Sequence, residues 1–315
     1  MRACIIIPVH NRRETTLGCL ALLKSQGVLN WATVVVVDDG STDGTGEAVK
    51  ADHPQVVILQ GTGSLWWGGG IQMGMEWAFN QGAEFVLWLN DDTHPRAGAL
   101  ELLVAKSHEH AAITSAQGIL RETGELHYGG LRKTTTGTAL VHCAPGQVIP
   151  CDSICGNCVC IPRKAIEQIG FVDAATLPHF AGDADYGLRA TAAGVPVISV
   201  GDAVCDCSYG TAKNRQSWLL GSQTVGDLWR LALHPLNGIL SRPGITFRLR
   251  HWGLRGAFWL AATTAKLIAV TALRWIIPRP IRLRLCAARH PHHQRMEAVQ
   301  RWEHQQKAET VTSAT

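Results

Sequence analysis

The sequence predicts an α/β fold: a doubly wound, mostly parallel sheet with a mixed extension, followed by a helical, basic C-terminal tail. Three observations predict it. Short β-branched apolar runs alternate with amphipathic stretches through the first part of the chain. Past residue 113 the pieces become shorter and strand-like, separated by Gly and Thr turns. From Leu228 to Met296 the chain carries no Asp or Glu but twelve basic residues, from Arg230 to Arg295.

The elements follow in order. Strands at 3–9, 33–37, 56–59 and 85–89 are apolar and bounded by Asp, Gly or Pro, and helices fall at 14–26, 45–51 and 69–80 between them. No secretory n-region precedes the first strand, whose only flanking charge is Arg2, so the reading is a cytoplasmic protein with reduced thiols. Residues 113–162 make the mixed or antiparallel extension; helices at 163–169 and 183–193 and a strand at 195–200 complete a body ending near 225. The expected division is 1–225 for the body and 226–315 for the tail.

Composition narrows the class. At 315 residues, 46% hydrophobic and 17% charged, the chain is neither disordered nor collagen-like, and so low a charge calls for apolar surface that is covered or anchored. The net charge of +4 hides an asymmetry: removing the twelve tail cations from 29 leaves 17 basic against 25 acidic residues, about −8 for the rest. In the tail, 257–277 is interrupted only by Lys266 and Arg274. On a helical wheel Phe258, Ala261, Ile268, Leu273, Trp275 and Ile276 share one arc, with Lys266, Arg274 and Thr263, Thr264 and Thr271 towards the other side. Two readings stand: a helix lying on an anionic membrane surface, or one packed within a helical subdomain. The 290–293 stretch, with His290, His292 and His293, reads as solvated tail. Ten cysteines include Cys155-x-x-Cys158, a zinc-ligand spacing, but strand alternation turns Cys155 away from Cys158 and Cys160, favouring small buried hydrophobes.

In a doubly wound sheet ligands bind at the carboxyl ends of the strands. Here those ends are polar: Pro8-Val9-His10-Asn11-Arg12, Asp38-Asp39-Gly40-Ser41-Thr42-Asp43-Gly44, and Asn90-Asp91-Asp92-Thr93. Adjacent carboxylates repel unless compensated, so Asp91-Asp92 suits a hard cation, Mg²⁺ or Mn²⁺; a helix N-cap is the alternative. Asp39 suits hydrogen bonds from a base or ribose, with Ser41 or Asp43 capping the next helix. Gly61-Thr62-Gly63-Ser64-Leu65-Trp66-Trp67-Gly68-Gly69-Gly70 opens a helix with backbone free to approach an anion, without a P-loop Lys; tight packing accounts equally for Gly70 and Gly74. Asp183 and Asp185 stand at the start of a later helix, where N-cap and first-turn roles are the plain alternative.

In this order, the first-strand segment, Asp38-Asp39-Gly40-Ser41-Thr42-Asp43-Gly44-Thr45, Asn90-Asp91-Asp92 and Gly182-Asp183-Ala184-Asp185-Tyr186-Gly187-Leu188-Arg189 resemble glycosyltransferase family 2 over about residues 1–210. Within it the chain looks like the bacterial rhamnosyltransferase and galactofuranosyltransferase relatives. The resemblance implies a GT-A fold and inverting transfer from a nucleotide-diphosphate sugar, dTDP-rhamnose or a UDP-sugar, to an acceptor hydroxyl in cell-surface polysaccharide synthesis. It implies donor contacts from Pro8, His10, Arg12, Asp39, Trp66, Trp67, Gly69, Asn90 and Asp91, metal binding by Asp92, and Asp183 as general base. Asn157 falls on the acceptor side, and Asp185 is an acceptor contact or a support. Many relatives add a metal-binding His after the strand at 195–200; here that stretch reads Gly201-Asp202-Ala203-Val204-Cys205-Asp206-Cys207, so either Asp206 substitutes or the metal relies on Asp92, phosphate and water. The implied partners are the nucleotide sugar, a glycan or lipid-linked acceptor and the inner face of the plasma membrane, with no nucleic acid. The rivals are a sugar nucleotidyltransferase, which needs a basic Gly-rich first loop absent here, and an inactive sugar-nucleotide-binding scaffold, against which Asp39, Asp92 and Asp183 argue.

Overall fold

The computed structural model describes residues 2–207, 224–236, 238–278 and 280–282; the tract from His290 to His293 lies outside them. Strand β1 (Ala3–Val9) leads through α1 (Arg13–Ser25) to β2 (Ala32–Asp38), α2 (Thr45–Asp52), β3 (Val57–Gln60), α3 (Trp66–Asn80) and β4 (Phe85–Leu89). Next come β5 (His94–Pro95), α4 (Ala99–His110), β6 (Ile113–Leu120), β7 (Leu126–Tyr128), β8 (Gly130–Lys133), β9 (Thr138–Leu140), β10 (Val148–Cys151), β11 (Ser153–Ile154) and β12 (Cys158–Pro162). Helices α5 (Arg163–Ile169) and α6 (Gly182–Ala192), strand β13 (Val197–Cys207), and helices α7 (Val225–Ala232) and α8 (Arg242–Ile276) follow.

The main sheet runs β10-β13-β6-β12-β4-β1-β2-β3. Strands β3, β2, β1 and β4 are parallel, β12 is antiparallel to both β4 and β6, and β10 is antiparallel to β13. A parallel sheet is covered on both faces, and the side-chain period of two divides β1 accordingly. Ile5 and Ile7 join Leu20, Leu23 and Leu103 of α1 and α4, while Cys4 and Ile6 join Ile71 and Met75 of α3. Gly74 lets α3 lie close: a Cβ there would stand 2.3 Å from Ile6. Cys158, Cys160, Cys205 and Cys207 are core residues, and the described cysteines are free thiols.

Three differences from the sequence-based expectation bear on the site. No element is expected between 93 and 112, yet α4 forms there and packs through Leu100, Leu103 and Val104. The strand expected at 195–200 continues to Cys207 across a register shift between Ser199 and Val204. The helix expected at 257–277 is the distal part of a longer one, α8, that starts at Arg242. Helix α8 breaks at Gly253, with φ 52° and ψ −128°. Before the break, Phe247 and Trp252 pack with Leu177, Ala184 and Leu188 of the body; beyond it, Leu267 and Val270 pack on Leu228 and Ala232 of α7.

Candidate active site

The carboxyl ends of β1 and β2 form the first wall. Asp39 is buried, and its two carboxylate oxygens accept the backbone N–H groups of Gly63 at 2.7 Å and Trp66 at 3.0 Å. That brings the loop after β3 against the loop after β2, and only glycine permits it: Gly40 and Gly63 have φ of +67° and +84°, and a Cβ on Gly40 would lie 2.9 Å from the Cα of Gly63. Trp66 is itself left-handed, with φ 57°, so the Asp39 bond holds a backbone conformation that a tryptophan disfavours. His10 donates from Nδ1 to the Asp39 carbonyl at 2.6 Å, and Asn11 donates to its Nε2 at 3.0 Å. This pairing sets the tautomer.

These loops enclose a cleft of about 210 Å³ lined by Pro8, Val9, His10, Arg12, Asp39, Gly63, Trp66, Trp67 and His179. Six of the expected donor-contact residues are therefore brought together. Gly69 is not among the lining residues; its missing Cβ would meet Leu65 at 3.0 Å, a packing role. His179 escapes the sequence reading, since a lone His in a loop carries no pattern. Its ring stands edge-on to Trp66 with centroids 6.1 Å apart, and burial pushes its pKa down against the opposing pull of Asp183.

The end of β4 supplies the second wall. Asn90 accepts from the Trp67 indole Nε1 at 2.9 Å, and its backbone N–H donates to the Asn157 carbonyl at 2.9 Å. Asp91, expected at the donor, is instead 3% exposed: its carboxylate accepts from the Thr16 hydroxyl at 3.1 Å and pairs with Arg12 Nε at 3.0 Å. Burial lifts its pKa to about 6 despite Arg12. Asp92 keeps a side chain 54% exposed and meets Arg12 Nη2 at 2.9 Å, so one guanidinium compensates both carboxylates. Asp206, the candidate second metal ligand, is committed elsewhere. Both its oxygens accept from Arg96, at 2.8 to 3.3 Å, and that bond holds its pKa below the ordinary carboxylate value. Among the described residues no three acidic, His or Cys side chains cluster as a ready metal cage.

The start of α6 closes the site. Its N-cap is Ala181, left-handed at φ 57°, so Asp183 sits inside the first turn rather than at the cap. The half-buried Asp183 accepts from the backbone N–H of Gly156 and of Ala184, both at 2.7 Å. Burial raises its pKa, and these two bonds offset only part of that. A Cβ on Gly156 would lie 2.6 Å from the Trp67 ring and 2.8 Å from the Asp183 Cβ, so Gly156 is in close contact with both the cleft-lining ring and Asp183.

Asp185 cannot touch an acceptor. It is 0% exposed, and its oxygens take Arg189 Nε at 2.9 Å, Arg250 Nη1 at 2.9 Å and His251 Nε2 at 2.8 Å. Burial raises its pKa, but these three donors together bring it below the ordinary value. Arg250 also reaches Asp173 at 2.8 Å. The support role is the one that this geometry leaves.

Comparison with known proteins follows the same lines. A family model described as glycosyl transferase family 2 matches residues 4–169. Over 60 residues, 19% of this chain, the sequence is 37% identical to glycosyltransferase AglJ of Haloferax volcanii; the match spans about a fifth, 19%, of that curated relative. The mannosyltransferase PcManGT from Pyrobaculum calidifontis, solved with GDP-Man and Mn²⁺, superposes with a TM-score of 0.52 at 17% identity, covering 96% of this chain and 84% of that one. GalNAc-T7, solved with UDP, GalNAc and Mn²⁺, gives a TM-score of 0.57 at 13% identity over 84% of this chain and 57% of that one. At such identities these structures speak for the fold, a mixed α/β arrangement of the GT-A kind.

Proposed function

The chain belongs to glycosyl transferase family 2, and from that membership we propose that it transfers a sugar from a nucleotide-diphosphate donor to an acceptor hydroxyl, with inversion at the anomeric carbon. The observation that carries this reading is the nearness of two features: a cleft organised by Asp39 and lined by Trp67, and Asp183, which shares Gly156 with Trp67 as a close neighbour. Pro8, His10, Trp66 and His179 offer apolar and hydrogen-bonding walls for a base and ribose, and Arg12 a cation for phosphate. The Asn90 amide, its oxygen occupied by Trp67, keeps its NH₂ to donate.

The acceptor oxygen attacks the anomeric carbon as the bond from that carbon to the phosphate oxygen breaks. Its proton passes to Asp183, whose raised pKa makes it a stronger base than an exposed carboxylate. Asp92, the half-exposed member of its pair, would hold Mg²⁺ or Mn²⁺ together with donor phosphate and water, since such ions accept one protein carboxylate plus phosphate oxygens. The ion would neutralise charge on the departing nucleoside diphosphate. Asn157, bonded to Asn90, belongs to the acceptor side. The resemblance to the rhamnosyltransferase and galactofuranosyltransferase relatives supports dTDP-rhamnose or a UDP-sugar as donor, and cell-surface polysaccharide as product, with a glycan or lipid-linked acceptor at the cytoplasmic face of the membrane.

The test is nucleoside diphosphate release with a panel of nucleotide sugars and lipid-linked acceptors. Turnover with one donor and dependence on an acceptor are expected. Binding without turnover across the whole panel would instead favour the inactive scaffold.

A further inference from the structure

Beyond Gly253, α8 runs from Leu254 to Ile276, 23 residues or about 34 Å. One side is spoken for: Leu267 and Val270 pack on α7, and Thr271 Oγ1 accepts from Trp229 Nε1 at 3.0 Å. The other side is open and apolar along its whole length. Leu254, Phe258 and Ile268 are 81%, 76% and 55% exposed, and Leu273, Trp275 and Ile276 are 41%, 78% and 76% exposed. The alanines between them are exposed as well. The charges on this open side are Arg255 and Lys266, which stand together at one border of the arc rather than opposite it. Both are cationic, and no acidic residue occurs from Leu228 to Met296.

We infer that this face of α8 docks on an anionic lipid surface, with the helix lying in the interfacial plane. A continuous apolar strip of this length exceeds what a monomeric protein leaves to water. The one charged border of the strip is cationic and complements anionic headgroups. Length and hydropathy would also permit a crossing helix. Packing argues against it: α7, with Asp227 and Arg230, rides on the middle of the same segment and would be drawn into hydrocarbon, as would Lys266. Lying flat, the helix buries its apolar arc and lets Arg255 and Lys266 reach the headgroups.

The inference extends the transfer reading by naming the surface on which the acceptor would be met, and it rests on that reading only for this consequence. The same helix, before Gly253, grips Asp185 through Arg250 and His251, so the docked strip and the helix carrying Asp183 are joined by one element.

Co-sedimentation of the full chain with vesicles tests it without any turnover. Vesicles of phosphatidylcholine mixed with phosphatidylglycerol should bind the protein, less so as salt rises, and phosphatidylcholine alone should bind it more weakly. Phe258→Glu with Ile268→Glu should lower the partition coefficient by roughly a hundredfold, about tenfold for each side chain withdrawn. Both positions are exposed, so the melting temperature should not move; Leu254→Glu with Trp275→Glu serves if the first pair misfolds. No sedimentation with anionic vesicles overturns the inference. So does a soluble dimer that the same substitutions dissociate, which would give the strip to a second copy of the chain. Either result leaves nucleoside diphosphate release to be judged by its own assay.

Discussion

Replacing Asp183 by Asn isolates the proposed base. The carboxylate receives two backbone N–H groups at 2.7 Å, from Gly156 and Ala184. An amide oxygen can keep one of them, while its NH₂ faces the other donor, which costs about 1–3 kcal/mol. Against this, the neutral amide escapes the burial that raises the pKa of the native carboxyl, so the net loss of stability should stay near about 1 kcal/mol. Loss of a general base costs about 10²–10⁴ in rate. Donor affinity should hold within about twofold, because the cleft is lined by other residues. Steady-state release of nucleoside diphosphate, calorimetric donor binding and a melting curve on the same preparation make the assay. The pH profile gives a second reading: the base works only when ionised, so the wild-type rate should fall as pH drops through a value above the ordinary 3.8 and level off at higher pH. A folded variant that keeps more than about a tenth of the wild-type rate would remove Asp183 from the mechanism, as would a parallel loss of donor binding.

Three further outcomes follow from the same geometry. Arg250→Ala should cost about 2–4 kcal/mol at neutral pH, because it strips one of three donors from a carboxylate with no exposure. The folded pKa of Asp185 lies below 3.8, so its stabilisation is present above 3.8 and is lost as pH falls through the folded value; the gap between wild type and variant in denaturant titrations should narrow there. Trp66→Gly should leave stability within about 1 kcal/mol, since relief of the left-handed backbone offsets lost ring contacts, yet weaken donor binding about tenfold in calorimetry. Chelation should abolish turnover and Mg²⁺ or Mn²⁺ restore it, with Asp92→Asn raising the metal concentration required; full activity in chelator would mean that Arg12 alone carries the phosphate charge.

The parallel half of the sheet is legible in the sequence because its signal is local: a strand buried on both faces must read as an apolar run, and the turns after it must be polar. The polar strand ends therefore mark the cleft by themselves. What stays hidden depends on partners distant in sequence. Asp91 and Asp92 look alike in the chain, but Thr16 and Arg12 bury one and leave the other half-exposed. Asp206 looks available until Arg96, 110 residues away, takes both its oxygens. Helix α4 does carry a local signal, with Leu100, Leu103, Val104 and Ser107 at helical spacing, so its absence from the expected elements has no physical excuse.

The charge asymmetry gains a mechanical meaning from Asp185. An acidic body and a basic tail suggest two units that meet different partners, one a donor and the other a lipid surface. The structure shows part of the tail's charge spent on the body instead: Arg250 reaches back 65 residues to pair with a carboxylate two positions from Asp183, and His251 reaches back 66 to hydrogen-bond it. A buried charge that loses two of its three donors costs several kcal/mol, so the docking of α8 on the body steadies the helix start that carries Asp183. The break at Gly253 then makes sense as a joint. It lets one segment remain locked into the catalytic body while the next turns its apolar side outward, and neither requirement dictates the geometry of the other.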